Sequence, residues 1–202
     1  MDLPAALLSA DVQGVVFALA ALGLLALARK LPWRELAGGV HLNLLLGFAV
    51  CLTLIWSMKA GVKPGLNLHL LGAMAATLAL GPWKAIAALA LALCGITLNG
   101  ALEWGDWPAN FVLMVLVPVS VASGLHRLIE RLLPAHFFIF IFVTGFAGSA
   151  LTAIAQGLTA SSVLALSGAY SADFLWSDYL PFFLLLGFSE GWISGAIITL
   201  MV

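Results

Sequence analysis

Two ionisable residues stand out in this sequence because apolar residues surround them. His69 follows a loop rich in glycine and proline, in the stretch GVKPGLNLHLLGAMAATLALGPWK of residues 61–84. An imidazole at the end of a short apolar segment is well placed to bind a cation. Glu190 lies inside the apolar segment that ends the chain, where a carboxyl group is costly unless it is paired or functional. Two interpretations stay open for Glu190: an anchor that bonds a neighbouring loop, or part of a path for cations.

Residues 187–191 also form the pattern G-x-S-x-G, which in a hydrolase would place Ser189 on a sharp turn between a strand and a helix. The surrounding residues are continuously apolar, and no histidine follows His136. An intramembrane hydrolase is therefore only a minor alternative. The chain also has no G-x-x-x-x-G-K-[ST] phosphate loop, so we do not expect it to hydrolyse ATP by that route. The sequence predicts a protein that is not an enzyme.

The composition predicts an integral membrane protein. Of the 202 residues, 63% are hydrophobic and only 8% are charged, and the mean hydropathy is +1.15. So much apolar surface cannot be buried in one soluble core. The net charge of −1 and the absence of a run of lysine and arginine argue against nucleic-acid binding. We expect an all-α polytopic protein with a single transmembrane domain over residues 1–202.

A membrane-spanning helix needs about 20 mostly apolar residues. Charged residues and Pro/Gly-rich breaks divide the chain into seven segments of roughly that size, of which the third is short. A short segment behind a Gly/Pro loop is typical of irregular backbone that lines a binding cavity. The predicted helices are Val12–Ala28, Val40–Met58, Leu66–Leu80, Trp83–Leu102, Ala109–Leu125, His136–Leu158 and Tyr179–Val202.

The basic residues predict the orientation in the membrane. Six of the eight lysines and arginines fall on one side of the predicted helices, which the positive-inside rule assigns to the cytoplasm. The N-terminus is then outside, the C-terminus is cytoplasmic, and the chain is a multi-pass protein of the inner cell membrane. Of the four histidines, only His69 falls in the outer half. The six basic residues are Arg29, Lys30, Arg34, Lys84, Arg127 and Arg131.

Three stretches resemble one family, the CbiM/NikM-type cobalt/nickel substrate-binding membrane components of energy-coupling-factor ABC transporters. The run HLLGAMAATLALGPWKA, which follows the Gly/Pro loop, is similar to the most specific motif of this family. The stretch DWPANFVLMVLVPV resembles the start of the family's fifth helix, and GFSEGWISGAIITLMV resembles its last helix. Together these matches cover most of residues 44–202 in order.

The resemblance implies a metal site built partly from the start of the chain. In the family, the N-terminal segment, here residues 1–11, folds back from the outer side. Metal is bound by the Met1 amine, by a histidine at position 2 and by the motif histidine, which here is His69. Position 2 departs from the family, because Asp2 replaces that histidine. A carboxylate is a harder ligand than an imidazole. The site implied is therefore a mixed nitrogen and oxygen one, and a change of substrate is the alternative. The supporting contacts expected around it are Asn67, Asn110 and Glu190.

Small residues recur every fourth position in the last predicted helix, at Gly187, Gly191 and Gly195. Such a stripe allows a neighbouring helix to approach closely. It serves either packing within the chain or docking of a partner subunit. Gly72 and Ala76 form a second pair of this kind, with the same two interpretations.

The function implied by the resemblance is capture of a divalent transition metal, of the cobalt or nickel class, on the outer face. The metal is then the transported substrate and not a cofactor. The implied partners are a transmembrane coupling subunit and two cytoplasmic ATPase subunits, which supply the energy. Two alternatives stay open. One is a gradient-driven secondary transporter, in which Glu190 is central. The other is an accessory or structural membrane subunit that binds no metal, in which His69 bonds a loop carbonyl.

Overall fold

The computed structural model describes residues 3–37, 39–61, 63 and 66–201, which form eight helices and one two-stranded sheet. A short 3-10 turn, Ala5–Leu7, precedes the first helix. Strand β1 (Ala60–Gly61) pairs antiparallel with β2 (Asn67–Leu68). The helices are α1 (Ala10–Lys30), α2 (Trp33–Leu36), α3 (Val40–Ser57), α4 (Ala73–Leu80), α5 (Pro82–Leu98), α6 (Trp104–Leu132), α7 (Ile139–Leu166) and α8 (Ala172–Met201).

The prediction of an all-α membrane protein is confirmed, and each of the seven predicted segments contains a helix. Within the described residues, five helices are long and apolar enough to cross a bilayer, namely α1, α3, α6, α7 and α8. Helix α5 has 17 residues and α4 has eight. At 1.5 Å per residue, α4 is only about 12 Å long, less than half of the hydrocarbon thickness.

The predicted start of the third helix at Leu66 is wrong. Helix α4 begins at Ala73, because Gly72 adopts a left-handed conformation with φ of 66° and separates the helix from the extended backbone before it. His69 therefore lies in an extended segment between β2 and α4, and not at the head of a helix. This segment leaves backbone N–H groups that no helix satisfies.

Other helix boundaries also differ from the predicted ones, including the end of α5 at Leu98 and not at Leu102, and hydroxyl groups are involved at two of them. Helix α7 continues to Leu166 and not to Leu158; the Ser162 hydroxyl donates to Leu158 O at 2.8 Å, so this polar residue finds its partner within the helix and does not end it. Helix α8 begins at Ala172 and not at Tyr179, because the Ser171 hydroxyl accepts the Phe174 N–H. Helix α6 runs to Leu132 and not to Leu125 through the amphipathic turns HRLIERL.

Helix α4 is the centre of the bundle and contacts α3, α5, α6, α7 and α8. Its sequence AMAATLAL supplies small side chains, so five helices can pack around it. Ala76 is fully buried. Gly72 is half-buried, and a Cβ on it would lie 2.6 Å from Leu52 Cδ2, so this pair packs closely against α3 within the chain.

The stripe of small residues on α8 faces α7. A Cβ on Gly187 would lie 3.0 Å from Ala150 O, and one on Gly191 would lie 2.9 Å from Phe146 O. Gly195 has more room, with 3.7 Å to Phe146 Cβ. Close approach of the two backbones thus requires glycine at the first two positions.

Two polar contacts lie at opposite ends of the bundle. Near the C-terminal end of α1, the Lys84 ammonium donates to a Glu35 carboxylate oxygen at 2.9 Å. At the other end, Lys59 Nζ donates to Ala101 O at 3.2 Å. The chain start and the segment that carries His69 belong to this second end.

Candidate functional site

His69 is buried in the extended segment before α4. Its side chain is only 4% exposed, and its ring packs against the indole of Trp56 with centroids 5.4 Å apart. The ring Nδ1 lies 3.0 Å from Leu70 O. A carbonyl oxygen only accepts, so this hydrogen bond puts the proton of the neutral ring on Nδ1 and the lone pair on Nε2. A lone pair fixed in this way is the arrangement of a metal-binding histidine.

Two side chains fix the backbone that follows His69. The carboxylate of Glu190, which is 2% exposed, accepts the Leu71 N–H at 2.8 Å with one oxygen and the Gly72 N–H at 2.6 Å with the other. The Trp56 indole N–H donates to Leu71 O at 3.3 Å. These are the backbone groups that the extended conformation leaves without helical partners. Helices α3 and α8 thus hold the segment from both sides.

The start of the chain is held by α6. The Leu3 N–H donates to Asn110 Oδ1 at 2.8 Å, and Asn110 Nδ2 donates to Leu3 O at 2.9 Å. One turn earlier, Asp106 Oδ1 accepts the Ala5 N–H at 2.7 Å. Leu3 and Asn110 are both fully buried. The described part of the N-terminal segment therefore folds back against the bundle.

A cavity of about 420 Å³ brings these two parts of the molecule together. Pro4 and Ala6 of the chain start line it, and so does Asn67, two residues before His69. Its walls carry both signs of charge. The charged residues lining this cavity are Lys59, Glu103 and Asp106.

Of the three metal ligands implied by the sequence, the structure describes only His69. Met1 and Asp2 lie outside the described residues. Within the ranges that the structure describes, no three His, Cys, Asp or Glu side chains assemble into a metal-binding group.

The other predicted site residues take different places. Asn110 bonds the chain start, Glu190 bonds the segment after His69, and Asn67 lines the cavity between them. Sequence reasoning missed Asp106 and Trp56. Asp106 could have been found from its spacing of four residues from Asn110, which puts both on one helical face. Trp56 carried no signal, since its partners lie in another segment.

The remaining histidines are separate from this site. His126 and His136 line a second cavity of about 410 Å³ at the turn between α6 and α7, where His126 Nε2 is 3.5 Å from Glu130 Oε1. His41 lies in the first turn of α3.

The G-x-S-x-G pattern has no hydrolase geometry. Helix α8 is continuous through residues 187–191, and the exposed Ser189 hydroxyl donates to Leu185 O at 3.2 Å. The strand-to-helix turn that exposes a nucleophile is therefore missing at this serine.

The fold and the site define a class: a polytopic α-helical membrane protein whose chain start folds back near a buried histidine. Comparison with known families identifies the group within this class. The model of the CbiM family, the cobalt uptake substrate-specific transmembrane region, matches residues 2–202. The chain belongs to this family, and the resemblance noted from its motifs is confirmed. It is a metal-uptake membrane component, which makes it a transporter and not an enzyme.

Two crystal structures share the fold. A truncated transition metal transporter is 21% identical, with a TM-score of 0.79 over 100% of this chain and 98% of that chain. A second transition metal transporter is 20% identical, with a TM-score of 0.79 over 100% of this chain and 92% of that chain. No curated protein matches this chain.

Proposed function

We propose that this protein is the substrate-binding membrane subunit of an energy-coupling-factor ABC importer, and that it captures a divalent transition metal of the cobalt or nickel class. The family match supports a role in metal uptake. The observation that carries the proposal is the cavity shared by Pro4, Ala6 and Asn67, since it joins the chain start to the segment of His69.

The proposed ligands are the Met1 amine, Asp2 and His69. An imidazole whose Nδ1 bonds a carbonyl coordinates metal through Nε2. The same hydrogen bond fits an accessory subunit in which His69 merely bonds its loop. Metal binding decides between the two functions. Asn67, Asn110 and Glu190 support the ligands from outside the coordination sphere.

The proposed orientation puts the N-terminus and this site on the outer face of the inner cell membrane and the C-terminus in the cytoplasm. The distribution of basic residues supports it. Energy comes from two cytoplasmic ATPase subunits through a transmembrane coupling subunit, because this sequence has no phosphate-binding loop of its own.

A gradient-driven transporter is the weaker candidate. It would use Glu190 as its ionisable group, but both carboxylate oxygens accept backbone N–H groups of the segment after His69. This geometry favours a structural role for Glu190. Uptake by vesicles that contain this subunit without any ATPase would support the weaker candidate instead.

The test is the metal content of the purified protein with its native N-terminus, after exposure to equimolar divalent cobalt, nickel, copper, zinc and manganese. We expect one metal ion per chain in the wild type and none in His69→Ala. His126→Ala is the matched control, because it removes a histidine from the other end of the bundle and should keep the metal. A His69→Ala protein that retains the metal would refute the site.

A further inference from the structure

The side chain of Asn110 bonds both polar backbone groups of a residue 107 positions away, Leu3. Its second amide proton goes to Asp106 O at 2.9 Å. These three bonds fix which end of the carboxamide is oxygen and which is nitrogen, since a flipped amide would set its N–H against the Leu3 N–H and its oxygen against two carbonyl oxygens. The side chain therefore has one orientation, and it bonds the N–H and the carbonyl of Leu3 as the backbone of a neighbouring β-strand would.

The backbone donors of residues 3–5 are all accounted for. Asn110 Oδ1 accepts the Leu3 N–H, and Asp106 Oδ1 accepts the Ala5 N–H. Pro4, between them, has no backbone N–H to satisfy. Gln13 Nε2 also donates to Ala5 O at 2.7 Å. The Leu3 side chain is buried in the main hydrophobic core. The segment thus has a single register along α6, because a shift by one residue would put proline where an N–H is needed.

We infer that Asn110 is a positioning residue that sets how far the chain start reaches, so that the α-amine and the side chain of residue 2 meet the metal bound by His69. This inference rests on the proposed function. With Leu3 fixed, two residues extend beyond it. One additional residue would move the amine by about 3.4 Å, whereas metal–nitrogen distances tolerate only about 0.2 Å.

The experiment measures two quantities for each variant: the affinity for the metal that the wild type retains, and the hydrogen–deuterium exchange of the peptide 1–8. The variants are Asn110→Leu, which removes the three bonds at similar volume, and Thr97→Val as control. Thr97 is also buried, and its hydroxyl donates to Leu93 O of its own helix and not to the chain start. A third variant carries an additional glycine between residues 2 and 3, which leaves every described contact in place.

We expect Asn110→Leu to lose the exchange protection of the Leu3 amide and to bind metal about 10- to 100-fold more weakly. Thr97→Val should match the wild type. The glycine insertion should keep the amide protection and still lose affinity, which a merely structural role for Asn110 would not predict. Because the inserted residue precedes Leu3, outside the contacts that Asn110 and Asp106 make, this variant tests the inference even where Asn110→Leu fails to fold.

Full affinity in Asn110→Leu, or in the insertion variant, would overturn the inference. A wild-type chain that binds no metal would refute the proposed function instead. In that case, loss of the exchange protection of the Leu3 amide in Asn110→Leu would still support the part of the inference in which Asn110 holds the chain start.

Discussion

Replacement of Glu190 by leucine should loosen the segment that carries His69 and destabilise the protein. The carboxylate accepts the Leu71 and Gly72 N–H groups at 2.8 and 2.6 Å, in a position that is 2% exposed. A hydrogen bond to a charged group contributes about 1.5–3 kcal/mol, and a buried N–H left without an acceptor costs about 1–3 kcal/mol. The substitution also removes the cost of burying the carboxylate.

The net loss we expect is therefore about 2–5 kcal/mol in the free energy of unfolding. For a chain of this length, that corresponds to a fall in Tm on the order of 10 °C. Thermal unfolding of the detergent-purified protein, followed by its tryptophan fluorescence, measures the change. Metal affinity is measured on the same sample and should fall as well, since His69 precedes the released segment.

Two variants make this result interpretable. Ser189→Ala changes the adjacent exposed residue and should leave the Tm within about 1–2 °C. Glu190→Gln keeps one acceptor but sets an amide donor against the other N–H, so its loss should lie between wild type and Glu190→Leu. Unchanged Tm and affinity in Glu190→Leu would refute the anchoring role and return Glu190 to the candidates for a cation path.

Two further predictions concern helix packing and surface charge. Gly191→Ala should destabilise the protein by about 1–3 kcal/mol, since its Cβ would lie 2.9 Å from Phe146 O, whereas Gly195→Ala has 3.7 Å of room and should be tolerated; equal thermal stabilities would contradict this packing. The Lys84 ammonium lowers the pKa of Glu35 below its ordinary value of 4.5 by hydrogen bonding and charge. A lowered carboxyl pKa adds stability above that value, which is lost as the pH falls through the folded-state pKa. The difference in Tm between wild type and Glu35→Gln should thus be present at neutral pH, small because the pair is exposed, and disappear on acidification. A difference in Tm that grows as the pH falls would contradict this prediction.

The amino-acid pattern predicts the membrane class and the helices well because the bilayer imposes one rule on every segment. Long apolar runs must close their backbone hydrogen bonds internally. The rule fails at residues 66–72, which are apolar but extended. There, Gly72 stops the helix, and Glu190 supplies an acceptor from more than a hundred residues away. No local pattern contains that partner.

The sequence predicts which residue types form the candidate site, but not which of them bond to one another. His69 and Glu190 stand out as ionisable groups in apolar surroundings, and Asn110 stands out only through the family resemblance. That Asn110 bonds Leu3, and that Trp56 bonds Leu71, depends on how helices pack. Periodicity along one chain does not encode such contacts between segments.

The contacts that hold the two halves of the site are directed at peptide groups. Asn110 bonds the Leu3 N–H and carbonyl, Glu190 bonds two N–H groups, and Trp56 bonds one carbonyl. None of them uses the side chain at position 2. Under the proposed function, the bonds that hold Leu3 do not depend on whether residue 2 is a histidine or an aspartate, so we expect Asp2 to change the donor set of the site. Selectivity among divalent metals should then follow the chemistry of this one side chain.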